Sequence, residues 1–271
     1  MRPGNARPGE SDAHQGRAPG ARDRTGARDR DGRKDGMIDH LCKAVIAELG
    51  IRRFVETGLY MGETVAEVSA WFAELHPGFG VLTHYDNYQV RGGANPWNAY
   101  IPYPVFRALP NTRYSLFSIE NNAHYAERSR QLFASNPNIT IVEGSSEAEL
   151  KRLLAEGAIH DRDPWFFYLD AHWGEYWPLR DEIAAILTLP QCIIVVDDFE
   201  VPGQPKWGFD MYQGVPCNMA VIADLLAGHD VAAYYPVRSN RDNRGWVILF
   251  KGFSEAERAF MAKLPFDHAP L

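Results

Sequence analysis

The chain has 271 residues, 45% of them hydrophobic, with a formal charge of −7 and a pI near 5.7. That is enough apolar material for one large α/β domain, and an acidic body of this kind repels the phosphates of a nucleic-acid partner. No apolar stretch is long enough to cross a bilayer and no apolar signal segment follows the N-terminus, so a cytoplasmic protein without a membrane partner is expected.

Residues 1–36 carry nine Lys and Arg against six Asp and Glu, which leaves −10 for the remainder. This extension is rich in Arg, Gly, Asp and Pro and nearly devoid of large apolar side chains, so it is expected to be disordered. The folded domain is expected over 37–271. Met37 opens the first amphipathic pattern and is an alternative start of translation, which the intact mass of the native protein distinguishes. Cys42, Cys192 and Cys217 have no paired metal spacing and read as reduced thiols.

Met37 to Leu49 shows helical spacing and stops at Gly50; a strand follows near Arg53 to Glu56, then a helix from Gly62 to Leu75 that Pro77-Gly78 breaks. The stretch 80–112 differs in kind, carrying Tyr85, Tyr88, Trp97, Tyr100, Tyr103 and Phe106 among Gly, Asn and Pro without a sustained period. It reads as an irregular insertion placed to border a pocket. Regular alternation returns with strands at 114–120, 139–143, 165–170 and 192–197, separated by helices at 123–133, 147–154 and around Leu179 to Leu187. After a helix at 219–226, the runs 231–237 and 246–250 read as a terminal hairpin. This alternation predicts an α/β fold with a doubly wound, mostly parallel, seven-stranded Rossmann-like sheet and an antiparallel C-terminal hairpin.

Chemistry in such sheets gathers at the carboxyl ends of the strands. Glu56-Thr57-Gly58-x-x-x-Gly62 joins a strand to a helix, where glycines let a ligand approach the backbone and a helix start offers free N–H groups. Taken alone it reads equally well as a tight turn. Glu120 closes the next strand with an acid able to accept the hydroxyls of a ribose, and Gly144-Ser145-Ser146 follows the strand after that, where it can border a purine. Two fully apolar runs end in carboxylates, at Asp170-Ala171-His172-Trp173 and at Asp197-Asp198. A single such Asp is best read as a cap, but three on adjacent strand ends point to a divalent cation beside a nucleotide-type cofactor.

These motifs, in this order over about Phe54 to Phe250, resemble those of class I S-adenosylmethionine-dependent methyltransferases. The nearest likeness is to metal-dependent O-methyltransferases of the macrocin and catechol types and to cephalosporin-hydroxylase-like proteins. The resemblance implies that S-adenosylmethionine is held by Glu56, Thr57, Gly58, Gly62, Glu120, Gly144, Ser145, Ser146 and Asp170. It also implies magnesium on Asp170, Asp197 and Asp198, with methyl transfer to a hydroxyl of a small-molecule acceptor. The catechol pattern has a lysine base after its first metal aspartate, whereas this chain has Ala171-His172-Trp173-Gly174; His172, beside Asp170, is the residue expected to remove the proton. Trp207, Phe209, Asp210 and Tyr212, in the loop 202–214, are candidates for holding the acceptor or for contact between copies in a homo-oligomer. Three other readings stay open: a hydroxylase-like protein of the same fold that transfers no methyl group, a metal-dependent nucleotide-sugar glycosyltransferase, and a non-catalytic binding module.

Overall fold

The computed structural model of the protein describes residues 38–75, 80–89, 100–108, 114–172, 176–240 and 242–269, with 80–89 and 100–108 described by their backbone. The extension 1–36, the side chains of the aromatic insertion and Trp173 lie outside the described residues. Helix α1 (His40–Glu48), strand β1 (Arg53–Thr57) and helix α2 (Glu63–Leu75) come first, then β2 (Gly80–Gln89) and β3 (Tyr100–Ala108). Alternation follows through β4 (Ser115–Glu120), α3 (Ala123–Leu132), β5 (Ile139–Glu143), α4 (Ser146–Ala155), β6 (Trp165–Leu169), α5 (Leu179–Ile186) and β7 (Cys192–Val196). The two-residue strands β8 (Met211–Tyr212) and β9 (Val215–Pro216) precede α6 (Met219–Leu226), β10 (Val231–Pro236) and β11 (Val247–Lys251). A short α7 (Glu255–Arg258), a 3-10 turn (Ala259–Lys263) and β12 (Phe266–Ala269) close the chain.

The main sheet runs in the order β12-β10-β11-β7-β6-β1-β4-β5. Its five strands β5, β4, β1, β6 and β7 are parallel, and the winding reverses at β1, which lies between β4 and β6. Strand β11 runs antiparallel between β7 and β10, as the resemblance implies for a last strand. All seven expected strands form. An eighth, β12, adds antiparallel to the outer side of β10; it is four residues long with Asp267 and His268 exposed, too short and polar to announce itself.

The insertion is less irregular than its sequence suggests, because β2 and β3 pair as a separate antiparallel ribbon. Pro102 and Pro104 hide β3 in the sequence. They are tolerated because, among the described residues, β3 bonds to β2 alone, so its other side needs no N–H groups there.

Side chains alternating along the strands divide the core in two. Phe54, Phe166, Tyr168, Ile193 and Ile248 face α1 and α2, meeting Val45, Ile46, Val68 and Phe72. Val55, Phe167, Leu169, Ile194, Val196 and Leu249 face α4, α5 and α6, meeting Leu150, Ile183, Ile186 and Ile222. Strands buried on both faces read as continuous apolar runs, which is why β6 (WFFYL) and β7 (CIIVV) stand out in the sequence. The three cysteines are buried and unpaired in disulfides. Among the described residues no helix is long and apolar enough to cross a membrane.

Phe166 is fully buried at the centre of the sheet and stacks on Phe54 across the β1–β6 pair, with ring centroids 5.8 Å apart. Phe166→Ala is therefore expected to cost about 3–5 kcal/mol through lost burial and a residual cavity. A urea midpoint lowered in proportion, with an unchanged slope, is the signature; an unmoved midpoint contradicts this packing.

Candidate active site

Backbone hydrogen bonds carry the parallel register one residue past the strands. The Gly144 N–H donates to Glu120 O (3.0 Å), Gly58 to Ile119 O (3.0 Å), Asp170 to Thr57 O (3.1 Å) and Asp197 to Leu169 O (3.0 Å). All the strand-end residues singled out in the sequence thus sit at one level along the carboxyl edge, where side chains turn from lining a core to lining a cleft.

On one flank is the glycine turn. Gly58 has φ +87°, and a Cβ there would fall inside contact distance of the Asp170 carbonyl, so only glycine allows β1 to leave the sheet this close to β6. Glu120 straps the turn in place. Its Oε2 accepts from the Tyr60 N–H (2.9 Å) and its Oε1 from the Asn122 N–H (2.7 Å), with the Asn121 amide also directed at the carboxylate. Burial raises its pKa and these amides oppose the rise. Glu56 points to the α2 face, where its Oε2 accepts from the Ser118 hydroxyl (2.7 Å); burial lifts its carboxyl to about 8. Ser145 caps α4 without a side-chain bond, and the buried Ser146 and Thr57 lie toward Glu182 of α5.

On the other flank is an acidic pocket lined by Asp170, His172, Glu182, Asp197, Asp198 and Asp210, with Trp177 and Cys217 among its apolar walls. Asp170, His172 and Asp198 each offer a ligand atom, and these atoms all lie within 4.8 Å of one another. His172 Nδ1 stands 3.5 Å from Asp170 Oδ1 and 3.6 Å from Asp210 Oδ2. Facing these acids, Asp170 foremost, the imidazole is raised to about 9, while burial raises Asp170 itself. Arg244, from the loop between β10 and β11, donates through Nε to Asp198 and through a terminal nitrogen to Asp210. Burial lifts Asp197 and Asp198 each to about 7, with Arg244 acting in the opposite sense on both.

Asp197 and Asp198 differ in what they present. Both oxygens of Asp197 are engaged, Oδ2 by the Tyr168 hydroxyl (2.7 Å) and Oδ1 by the Asn240 amide (3.3 Å). Asp198 adopts a left-handed φ of 53°, a conformation Asp tolerates better than most residues, and joins Asp170 and His172. Of the three aspartates expected at a metal, Asp170 and Asp198 come together with His172, while Asp197 lines the same pocket with both oxygens hydrogen-bonded. The loop 202–214 reaches the pocket through Asp210, whose N–H donates to Asp198 O (2.8 Å) and whose carbonyl accepts from Cys217 N–H (2.8 Å). Beside it, the Trp177 and Tyr212 rings stack with centroids 4.9 Å apart and planes 6° from parallel.

Four participants escape sequence reasoning. Tyr168 lies inside an apolar strand, Arg244 and Asn240 in a stretch read as a hairpin turn, and Glu182 on a helix read as amphipathic filler. Only Glu182 leaves a trace, as a charged residue on the otherwise apolar face of Leu179, Ile183 and Ile186.

No family model matches the chain, and no curated protein matches it. Among solved structures it is similar to an O-methyltransferase from Bacillus cereus in complex with SAH, at 14% identity, TM-score 0.49, and coverage of 78% of this chain and 79% of that one. It is similar also to the O-methyltransferase TomG from Streptomyces achromogenes, involved in tomaymycin synthesis and in complex with SAM, at 17% identity, TM-score 0.49, and coverage of 82% and 84%. A third is CalS11, a calicheamicin methyltransferase, at 12% identity, TM-score 0.46, and coverage of 77% of each chain.

The glycine turn and its buried acid generate two expectations. Gly58→Ala should cost about 1–2 kcal/mol for a left-handed alanine, more once the Asp170 backbone is displaced, and a wild-type urea midpoint in this variant would refute the close approach. Glu56 titrates near 8 in the folded protein against an ordinary value of 4.5, so folding takes up a proton between those limits. Its contribution is fully present below pH 4.5 and lost as pH rises to about 8. Glu56→Gln lacks this loss, so its melting temperature relative to wild type should climb through that window and level off above it. A difference independent of pH would show that Glu56 ionises normally.

Proposed function

We propose that the protein transfers the methyl group of S-adenosylmethionine to an oxygen of a small-molecule acceptor, assisted by a divalent cation at the acidic pocket. The observation that carries this reading is the contact of Gly58 with the Asp170 backbone, which puts a glycine turn with a ribose-competent acid directly against a cluster of carboxylates. A cofactor laid along the turn from Glu120 to Gly58 directs its sulfonium end toward that cluster, and a cationic sulfonium is favoured beside acids.

The acceptor oxygen attacks the methyl carbon while the carbon–sulfur bond breaks, leaving neutral S-adenosylhomocysteine, and the hydroxyl proton passes to a basic group. His172, the expected base, has its Nδ1 3.5 Å from Asp170 Oδ1 and 3.6 Å from Asp210 Oδ2, and these acids raise its pKa to about 9 and so weaken it as a base near neutrality. Asp210, which lines the same pocket with its Oδ2 near the same ring nitrogen, is the carboxylate assigned to take the proton instead. Asp170 and Asp198 suit a divalent cation, since carboxylates with open neighbouring positions are the ligands such ions favour. The cation would supply Lewis acidity, lowering the pKa of the acceptor hydroxyl. The Trp177–Tyr212 stack gives the acceptor an aromatic wall.

S-adenosylhomocysteine at about 100 times its dissociation constant should stabilise the protein by about 2.7 kcal/mol, raising the melting temperature by about 5–10 °C. Nucleoside diphosphates should not. The reverse pattern, protection by a nucleoside diphosphate with manganese but not by S-adenosylhomocysteine, would sink the proposal in favour of glycosyl transfer.

A further inference from the structure

The acidic pocket holds one group that none of these roles uses. Glu182 is 1% exposed, and its Oε1 is buried without a hydrogen-bond partner among the described residues. It lines the same pocket as Asp170, His172 and Asp198. A buried carboxyl oxygen left without a donor costs on the order of 1–3 kcal/mol and points to a donor or cation missing from its surroundings. The Ser146 and Thr57 hydroxyls face Glu182 and favour its charged form, but neither makes a hydrogen bond to Oε1.

The charges lead to the same place. Five carboxyl groups line the pocket, those of Asp170, Glu182, Asp197, Asp198 and Asp210, and the described cations there are Arg244 and His172. Arg244 is committed to Asp198 Oδ1 and Asp210 Oδ1, and Asp210 Oδ2 faces His172 Nδ1 at 3.6 Å. His172 differs from an acid in what it selects. An imidazole nitrogen is a poor ligand for magnesium, which prefers oxygen, and a good one for manganese, iron, cobalt and zinc.

We propose that Asp170, His172 and Asp198 form a one-histidine, two-carboxylate centre selective for a first-row transition-metal dication over magnesium, with Glu182 Oε1 accepting a hydrogen bond from a water on the ion. This assigns His172 to the ion and leaves Asp210 as the proton acceptor. Asp197 stays outside the coordination sphere, held by Tyr168 and Asn240. The inference deepens the cation part of the proposed function and does not depend on methyl transfer.

The test uses the full chain stripped by a chelator and titrated calorimetrically with manganese, cobalt, zinc and magnesium. One manganese or cobalt ion per chain should bind at least about tenfold more tightly than magnesium. Bound manganese should show the electron-spin-echo modulation of one imidazole nitrogen. His172→Gln should abolish that modulation and remove the preference for manganese over magnesium, while magnesium affinity stays within a few-fold of wild type. Glu182→Gln, of the same shape, should weaken manganese binding by about tenfold with the nitrogen signal retained. Equal affinity for magnesium and manganese, a nitrogen signal surviving in His172→Gln, or no bound ion at all overturns the proposal. S-adenosylhomocysteine binding, measured on the metal-free protein, separates the two readings: a metal centre with no such binding removes methyl transfer and leaves this centre standing.

Discussion

The site depends on one close approach, that of the Gly58 backbone to the Asp170 carbonyl. Strands β1 and β6 are hydrogen-bonded neighbours, and the bond from Asp170 N–H to Thr57 O extends their pairing into the turn. A side chain at position 58 would push the turn off β6 and open a gap between the glycine turn and the acidic pocket. Glu120 secures the other side of the turn through the Tyr60 and Asn122 amides. A carboxylate oxygen can accept more than one hydrogen bond, so a ligand hydroxyl donating to Glu120 need not release the turn.

The second governing constraint is charge. Two unit charges 4 Å apart interact by about 4 kcal/mol at an effective dielectric of 20. Burial foremost, with the neighbouring carboxyls adding to it, lifts Glu182, Asp197 and Asp198 each to about 7, so a pocket of five carboxyls with two cationic side chains resists full ionisation. Glu56 and Glu120 are buried on the neighbouring strand ends, and their carboxyls also rise. The carboxyl edge of the sheet thus favours positive charge. Arg244 supplies some of it by joining Asp198 at the end of β7 to Asp210 on the following loop.

How much of this was written in the sequence varies with the kind of interaction. The parallel strands were legible because burial on both faces makes β6 and β7 unbroken apolar runs with abrupt acidic ends. The ribbon β2–β3 was not, since Pro102 and Pro104 break the pattern that a strand bonded on both sides requires. The glycine turn and the aspartates were legible as residue types at strand ends. Their partners were not: Arg244 lies 46 residues from Asp198 and Asn240 lies 43 from Asp197, and only the folded chain brings them together. Tyr168 illustrates the same limit from within a strand, because its ring belongs to the α1–α2 core while its hydroxyl serves the site.

The pair Asp197-Asp198 shows why a repeated residue type need not mean a repeated role. Asp197 continues the strand register, since its N–H still bonds to Leu169 O, and its side chain meets the Tyr168 hydroxyl at the top of the core. A carboxylate so held is a structural acceptor that orients the strand end. One residue later the backbone enters the left-handed region, which rotates Asp198 out of the strand alternation and toward Asp170 and His172. The turn is then fixed from beyond, because Phe199 N–H bonds to Gly245 O (2.8 Å) and a Cβ at Gly245 would collide with the Phe199 carbonyl. Anchoring the 240s loop at Gly245 delivers the adjacent Arg244 to Asp198. The geometry of the acidic pocket thus follows from a glycine contact on each side, Gly58 against Asp170 and Gly245 against Phe199, with the charged residues carried into place by backbone that only glycine permits.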